Sequence, residues 1–278
     1  MSIHLAAKEG DTLKIEQILS EDNDKRILKL ADEFGRLPLH VAVQNGQQGV
    51  AELLLKRGAD EYAQTLNAFR TPLHIAAARN NMFFIDLLDK NTTKLAVKAR
   101  DIHGYTPLHV AVGARDEQSV ATLLERGADI EAKNKHGRTS LHYAVQKKNH
   151  SMVKFLLDKG ADIRTRDRKA SSVLHSAEDK RMYILLNSKY HDFWHEDELQ
   201  DNCDGQTPLH LAAKRGDRDI VEDMCERGAI PAEEDNNGQT PLDFAREVEC
   251  KETLRCLEDY ADLQLCDPKN YYSKRERS

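Results

Sequence analysis

Histidine is the side chain of this sequence best suited to acid–base or metal chemistry, and the chain has twelve. Imidazole titrates near neutral pH and is a common metal ligand. His191 and His195 are spaced i, i+4, so a helix would place both on one face, with Asp192, Glu196 or Cys203 as further zinc ligands. The HExxH arrangement of zinc proteases does not occur. We therefore expect no metal in this region.

Seven other histidines recur at intervals of 33 to 36 residues, and an aspartate takes the eighth position. They are His4, His40, His74, His109, His142, His175 and His210, followed by Asp243. Most of these histidines are the last residue of a four-residue motif, or box, such as TPLH. TPLH occurs three times, and the near copies are LPLH, TSLH and SVLH. A period of this length indicates stacked structural repeats. These histidines are therefore predicted to be structural rather than catalytic.

No motif of a known catalytic scaffold accompanies the histidines. The sequence contains no GxxxxGK[ST] phosphate loop, no GxGxxG turn and no GxSxG nucleophile elbow. We expect neither an enzyme nor a bound cofactor.

Composition places the protein in a reducing compartment. Its five cysteines are odd in number and form no CxxC pair, which argues against disulfides and zinc ribbons. The first ten residues lack a basic region followed by an apolar core, and no apolar run reaches the roughly 18 residues of a spanning helix. We expect no membrane insertion and a cytoplasmic location, with the nucleus also open.

Each repeat contains the start and stop signals of two short helices. A threonine such as Thr71 suits an N-cap and the following Pro72 suits the first helical position. In the repeat before it, Gly46 permits a turn, a leucine-rich second helix follows, and Gly58 ends that helix. Neither helix could bury its apolar face alone, so stability must come from stacking.

The boxes, the Gly-Ala-Asp turns such as 58–60 and the Gly-x-Thr steps such as 104–106 resemble ankyrin repeats, over about residues 1–267. The resemblance implies an all-α fold: an ankyrin-repeat solenoid of antiparallel helix pairs joined by β-turn fingers. It further implies that fingers and first helices line a concave face, which in this family binds proteins without catalysis. It also implies that the motif histidines bond to backbone within and between repeats.

Four regions depart from the repeat pattern. The first repeat starts directly at Ser2, a candidate N-cap, and the eighth carries a polar second helix over 251–260, so both are predicted to be caps. The sixth repeat, near 171–205, lacks its mid-repeat glycine and is predicted to be degenerate. The residues 268–278 are expected to form a basic, flexible tail.

Charge is distributed unevenly along the chain. Residues 98–181 carry 17 basic and 11 acidic side chains, a net +6, whereas residues 182–267 carry 8 and 22, a net −14. The basic excess falls in three consecutive predicted fingers. Its members, here called the basic ridge, are Lys98, Arg100, Lys133, Lys135, Arg138, Arg164, Arg166, Arg168 and Lys169. Such a ridge would steer an acidic partner, and exposed lysine-rich loops are the plainer alternative.

Tyr190, Phe193 and Trp194 lie in the degenerate repeat. They are either a partner-binding hot spot or a plug for the gap that this repeat leaves.

The sequence as a whole predicts a monomeric scaffold or adaptor that binds partner proteins, one of them acidic, and no nucleic acid. The candidate contacts are Arg100, Tyr105, Lys133, Lys135, Arg138, Gln146, Lys147, Arg166 and Arg168, with Tyr190 and Trp194 as a second patch. Two alternatives stay open. One is an inhibitor that masks a transcription factor, and the other is a microbial effector that binds host proteins.

Overall fold

The computed structural model describes residues 2–21, 26–88, 95–188 and 201–266, and every regular element in these ranges is helical. Close contacts divide the chain into an N-terminal part, Met1–Tyr143, and a C-terminal part, Ala144–Ser278, and each is described by itself. The helices of the first five repeats are α1 (Ile3–Glu9), α2 (Thr12–Glu21), α3 (Pro38–Gln44), α4 (Gln48–Lys56), α5 (Pro72–Ala78), α6 (Met82–Leu88), α7 (Leu95–Lys98), α8 (Pro107–Ala114), α9 (Glu117–Glu125), α10 (Ser140–Gln146) and α11 (His150–Asp158). Those of the last three are α12 (Lys180–Ser188), α13 (Pro208–Arg215), α14 (Arg218–Glu226), α15 (Pro241–Glu247) and α16 (Lys251–Cys266). Two 3₁₀ turns, Arg26–Lys29 and Val173–Ser176, complete the set.

The first helix of most repeats begins as the TPLH box predicts. In α5, Thr71 is an N-cap with extended backbone and Pro72 is the first helical residue. Thr71 and His74 form a capping box: the backbone N–H of Thr71 donates to Nδ1 of His74 at 3.2 Å, and the Thr71 hydroxyl lies 2.8 Å from that nitrogen. The threonine thus caps the helix together with the histidine rather than through its hydroxyl alone.

Repeats stack first helix on first helix and second helix on second helix. In the N-terminal part α1, α3, α5 and α8 pack in succession, as do α2, α4, α6 and α9. In the C-terminal part α13 packs on α15, and α12, α14 and α16 pack in order. Fully buried alanines such as Ala42, Ala76 and Ala111 let neighbouring first helices approach closely.

The motif histidine joins one repeat to the next. Nε2 of His74 donates to the carbonyl of Tyr105 at 2.9 Å, and Nε2 of His109 donates to Arg138 at 3.1 Å. The same bond recurs in the C-terminal part, where the ring of His175 reaches Gln206. The predicted structural role of these histidines is therefore confirmed.

Burial keeps these rings neutral. It lowers the pKa of His40, His109 and His175 to about 4, and it lowers the pKa of His74 and His210 as well. A neutral ring that donates from Nε2 has a free lone pair on Nδ1. That lone pair accepts the N-cap N–H, so each histidine satisfies two sets of buried backbone groups.

Each finger, numbered here by the repeat whose first helix it precedes, is closed by a side chain that sequence reasoning missed. In the fourth finger, Oδ1 of Asp101 accepts the backbone N–H groups of His103 and Tyr105, both at 2.9 Å. The equivalent residues in the other fingers are Asp32, Thr65, Asn134, Asp167, Asn202 and Asp235. The signal was present as an aspartate or asparagine three residues before most finger glycines.

Two capping residues of the first and eighth repeats make the bonds expected of them. The Ser2 side chain accepts the N–H of Leu5 and caps α1. In the eighth repeat, Asp243 accepts the N–H and hydroxyl of Thr240 at 2.9 and 2.7 Å. The carboxylate keeps the capping half of the histidine's role and lacks the ring nitrogen that would reach a further repeat. The second helix extends to Cys266, beyond the predicted 251–260.

Two internal repeats differ from the others. In the sixth, the first helix shortens to the 3₁₀ turn Val173–Ser176, and the second helix α12 is present. Before the fourth finger lies an additional short helix, α7. The predicted tail, 268–278, lies outside the described residues.

We predict that the free energy of unfolding falls as the pH is lowered from about 6.5 to about 4. The unfolded chain takes up protons on these histidines near pH 6.5, whereas the folded chain resists protonation until about pH 4. Within that window each histidine lowers the stability by about 1.4 kcal/mol per pH unit. Urea unfolding midpoints at pH 7.5, 6.0 and 5.0 measure the effect, and equal midpoints would contradict it.

We also predict that Gly104→Ala destabilises the protein more than Gly238→Ala. Both glycines have a left-handed φ, 76° and 74°, so a side chain strains both by about 1–2 kcal/mol. A Cβ on Gly104 would also lie 2.8 Å from the backbone N of Lys135 in the next finger, whereas a Cβ on Gly238 would meet nothing within 4 Å. We expect an additional cost of at least about 1 kcal/mol at Gly104, measured by urea unfolding. Equal costs would show that finger stacking contributes little.

Candidate functional site

Stacked fingers form the platform that carries the candidate binding residues of the N-terminal part. The N–H of Leu66 donates to the carbonyl of Gly35, that of Ile102 to Ala68, and that of Lys135 to His103, at 2.9 to 3.0 Å. Each bond joins one finger to the next. Backbone held in this way presents its side chains in fixed positions.

The candidate cations of the N-terminal part lie on the fourth and fifth fingers and on α7. Lys98, Arg100, Lys133 and Lys135 are exposed, and Arg138 is half-buried. Nη1 of Arg100 donates to the carbonyls of Gly104 and Lys133, so this guanidinium ties the two fingers together as well as facing solvent. Lys98 and Lys135 form no ion pair with any residue that the structure describes. These cations therefore make one continuous basic surface on adjacent fingers.

Tyr105 packs into the corner between the fingers and the first helices. Its ring centroid lies 5.5 Å from that of His109 and 5.5 Å from that of Tyr143. Tyr143 lies over Gly113, where a Cβ would meet Cε1 of the tyrosine at 2.8 Å. Burial raises the pKa of Tyr105. The Tyr105 side chain as a whole is half-buried.

The C-terminal part carries the remaining ridge residues on its sixth finger. Arg168 and Lys169 are exposed, while Nη1 of Arg166 donates to the carbonyl of Asp201 at 3.0 Å. The N–H of Cys203 in the next finger donates to Lys169 at 2.8 Å, which places the exposed Asp201 beside these cations. The seventh finger therefore offsets part of the positive charge of the sixth.

Other predicted site residues are placed differently or not described. Gln146, the last residue of α10, and Lys147 are exposed. Tyr190 and Trp194 lie outside the described residues, as do Phe193 and the candidate zinc ligands His191 and His195. Within the described ranges, no three His, Cys, Asp or Glu side chains are grouped to hold a metal ion. No helix of those ranges is long and apolar enough to cross a membrane.

Sequence reasoning also missed an apolar surface on the second and third fingers. Phe34, Leu66 and Phe69 are 57%, 65% and 46% exposed, which is unusual for large apolar side chains on adjacent turns. Phe69 stands where most other fingers have glycine and has a φ of 52°. The signal was a phenylalanine at a finger-glycine position, in the segment Asn67-Ala68-Phe69-Arg70.

Curated relatives share the repeats over part of this chain. The chain is 35% identical over 111 residues to α-latrotoxin-Lh1a of Latrodectus hasselti, a match over 39% of this chain and 8% of the toxin. It is 33% identical over 123 residues to mouse inversin and 32% identical over 127 residues to the human transient receptor potential cation channel subfamily A member 1. These two matches cover 44% and 45% of this chain and 11% of each relative. The chain thus spans about a tenth of the length of the relatives it matches.

A solved structure and a family model extend the likeness to most of the chain. The ankyrin repeat domain of Bcl-3, described as a unique member of the IkappaB protein family, superposes with a TM-score of 0.68 at 30% identity, over 81% of this chain and 97% of that domain. The family model for ankyrin repeats matches residues 2–65, 60–134, 104–167 and 174–267. With the capping boxes and bonded fingers described above, these matches show that the chain belongs to the ankyrin-repeat family.

Proposed function

We propose that this protein is a binding module that docks an acidic partner protein on the fingers of its N-terminal part. Ankyrin repeats generally mediate protein–protein interaction. The observation that supports a site here is the adjacency of Arg100, Lys133, Lys135 and Arg138 on two fingers joined by backbone hydrogen bonds. Arg166 and Arg168 offer a second, smaller basic surface in the C-terminal part.

Preorganisation and charge would give this surface its affinity. The fingers are already ordered by backbone and Asx hydrogen bonds, so binding would immobilise little more than the lysine side chains. Cations within a Debye length of one another add their fields and attract carboxylates before contact. The structure thus favours fast, salt-sensitive association with an acidic surface over any reaction.

The proposal extends to a non-enzymatic scaffold or adaptor, monomeric and cytoplasmic or nuclear. It is supported by the family membership. The half-exposed ring of Tyr105 and the exposed end of α10, with Gln146 and Lys147, are its other proposed contacts.

We predict that Lys133→Glu with Lys135→Glu releases the partner. A tagged wild-type protein and the double variant are compared by affinity capture from a matched lysate with quantitative mass spectrometry. Charge reversal at two adjacent fingers turns attraction into repulsion, so the partner signal should fall at least about tenfold. Raising the salt concentration should reduce the difference between the two captures.

A matched control separates position from net charge. Lys56 in α4 and Lys154 in α11 are exposed on second helices, and their reversal to glutamate changes the net charge by the same amount. This control should retain the partner, and both variants should keep the wild-type urea midpoint. Equal capture by the two double variants would contradict a fingertip site.

A second candidate function is a regulator that masks a basic, nuclear-targeting segment of a transcription factor. It is favoured by a cleft of about 240 Å³ between α12 and α14, lined by the exposed Ile184 and by Asp219, Glu222, Asp223 and Glu226. Asp219 and Asp223 are already paired, with Lys180 at 2.7 Å and with Arg227 at 2.6 Å. Glu222 pairs with Arg218 at 3.4 Å. Glu226, which is exposed, is the carboxylate best placed to meet a basic peptide.

The two candidate functions are distinguished by the charge of the captured partner and by which substitutions cause the partner to be lost. We predict that Glu222→Lys with Glu226→Lys leaves capture of an acidic partner unchanged, because these residues lie in the C-terminal part on second helices. A basic partner lost with this variant and retained by the Lys133 and Lys135 reversals would instead support the masking regulator.

A further inference from the structure

A cleft of about 290 Å³ opens between the second and third fingers and the ends of the first helices α3 and α5. Its apolar wall includes Phe34, Ala68, Ile75 and Ala78. All of these residues belong to the N-terminal part and lie outside the basic fingertips discussed above. The cleft has the apolar surface of a small binding site with polar groups at its edge.

Three arginines line the same cleft. The guanidinium of Arg36 stacks on the ring of Phe34 at 4.7 Å and pairs with Asp32 at 2.7 Å. Arg70 pairs at 3.7 Å with Asp101, whose side chain is 1% exposed. Asp101 is thus buried behind Arg70, whereas Asp32 keeps 13% of its side chain exposed beside Arg36.

Arg79 differs from the other two. It is exposed, and its guanidinium makes no hydrogen bond or ion pair with any part of the chain that the structure describes. The cleft therefore presents cations to solvent, and no carboxylate lines it. This charge distribution is complementary to a carboxylate-bearing ligand.

The equivalent corner two repeats along the chain is filled. Counting from the motif histidines, Tyr105, Gly113 and Tyr143 stand there where the cleft has Arg36, Gln44 and Ile75. There the two tyrosine rings stack at 5.5 Å and lie over Gly113. The chain thus fills that corner with its own aromatic rings. At the second and third fingers Arg36 donates to Gln44 at 2.7 Å, and the lining residues leave a cleft with no aromatic ring between Arg36 and Ile75.

The adjacent finger carries a strained and exposed aromatic residue. Phe69 has a φ of 52°, a conformation costly for a side chain with a Cβ, and its side chain is 46% exposed. Fingers with glycine at this position, such as those of Gly35 and Gly104, avoid the strain. Ala170 has a φ of 55° at the same position of the sixth finger, so it is the exposed aromatic ring, rather than the strain, that distinguishes Phe69.

We propose that this cleft, here called the arginine cleft, binds a peptide segment of a partner protein that carries an aromatic side chain flanked by carboxylates. The aromatic ring enters the corner, as Tyr105 and Tyr143 do two repeats on. The carboxylates pair with Arg79 and with the exposed faces of Arg36 and Arg70, and Phe69 and Leu66 cover the ring from the third finger. This site goes beyond the fingertip surface and can fail or succeed independently of it.

The test is a titration of the ¹⁵N-labelled full chain with the peptide acetyl-Glu-Asp-Phe-Asp-Glu-amide, followed by amide chemical shifts. The expected result is saturable shifts at Ala68, Arg70, Ile75 and Arg79. The control peptide, with alanine in place of phenylalanine, has the same charge and should bind at least about fivefold more weakly. Equal binding of the two peptides, or shifts confined to Lys133 and Lys135, would overturn the cleft while leaving the fingertip proposal standing.

Variants of the chain separate binding from folding. Phe69→Gly removes the ring and relieves the backbone strain, so the unfolding midpoint should not fall while the phenylalanine peptide binds at least about fivefold more weakly. Arg79→Glu should have a larger effect on binding because it reverses the exposed charge. Lys154→Glu, on α11 in the C-terminal part, is the matched charge control and should bind as wild type. Unchanged binding by Phe69→Gly and Arg79→Glu would overturn the proposal.

Discussion

The hydrogen bond from a buried histidine to the finger of the next repeat is the interaction on which the rest of the structure depends. Through Nδ1 the ring caps its own helix, and through Nε2 it holds a carbonyl one repeat away. The bond at Nδ1 needs a neutral ring because there the ring accepts. Burial supplies it by lowering the pKa of His40, His109 and His175 to about 4. One residue type therefore couples helix formation, repeat stacking and finger position.

Function follows from the same coupling. Each finger is held by a histidine, by backbone hydrogen bonds to the neighbouring finger and by an aspartate or asparagine side chain within the finger. Its exposed residues can therefore differ from repeat to repeat without a change of the backbone. In the N-terminal part, the fourth and fifth fingers carry lysine and arginine at these exposed positions. The second and third fingers carry the apolar residues Phe34, Leu66 and Phe69 there. Adjacent fingers thus present two chemically different surfaces on one backbone pattern.

Periodicity made the fold predictable. A box repeated every 33 to 36 residues indicates where each first helix begins, and its regular recurrence indicates that the repeats stack. It also identified the motif histidines and Ser2 as the N-cap of α1. It did not reveal that the hydroxyl of Thr71 would be shared with His74, or that Asp101 and its equivalents close the fingers. Those bonds depend on distances that residue spacing alone does not give.

The candidate site was less predictable than the fold. Spacing placed the cations on fingers, but the engagement of Arg100 with the carbonyl of Lys133 and the packing of Tyr105 on Tyr143 are tertiary facts. The arginine cleft escaped sequence reasoning because no charge run or motif marks it. Arg36, Arg70 and Arg79 come from three separate segments, and only the stacking of fingers on first helices brings them to one cavity.

Hydrogen exchange of the backbone amides that join the fingers tests the central claim most directly. Leu66, Ile102 and Lys135 donate across fingers in the N-terminal part, and Asn236 does so in the C-terminal part. If histidine-anchored fingers are ordered with the core, these amides should be protected to an extent approaching that of amides in α5 and α8. Exchange as fast as that of an unstructured peptide would show that the fingers open independently of the helices, and would contradict a preorganised binding surface.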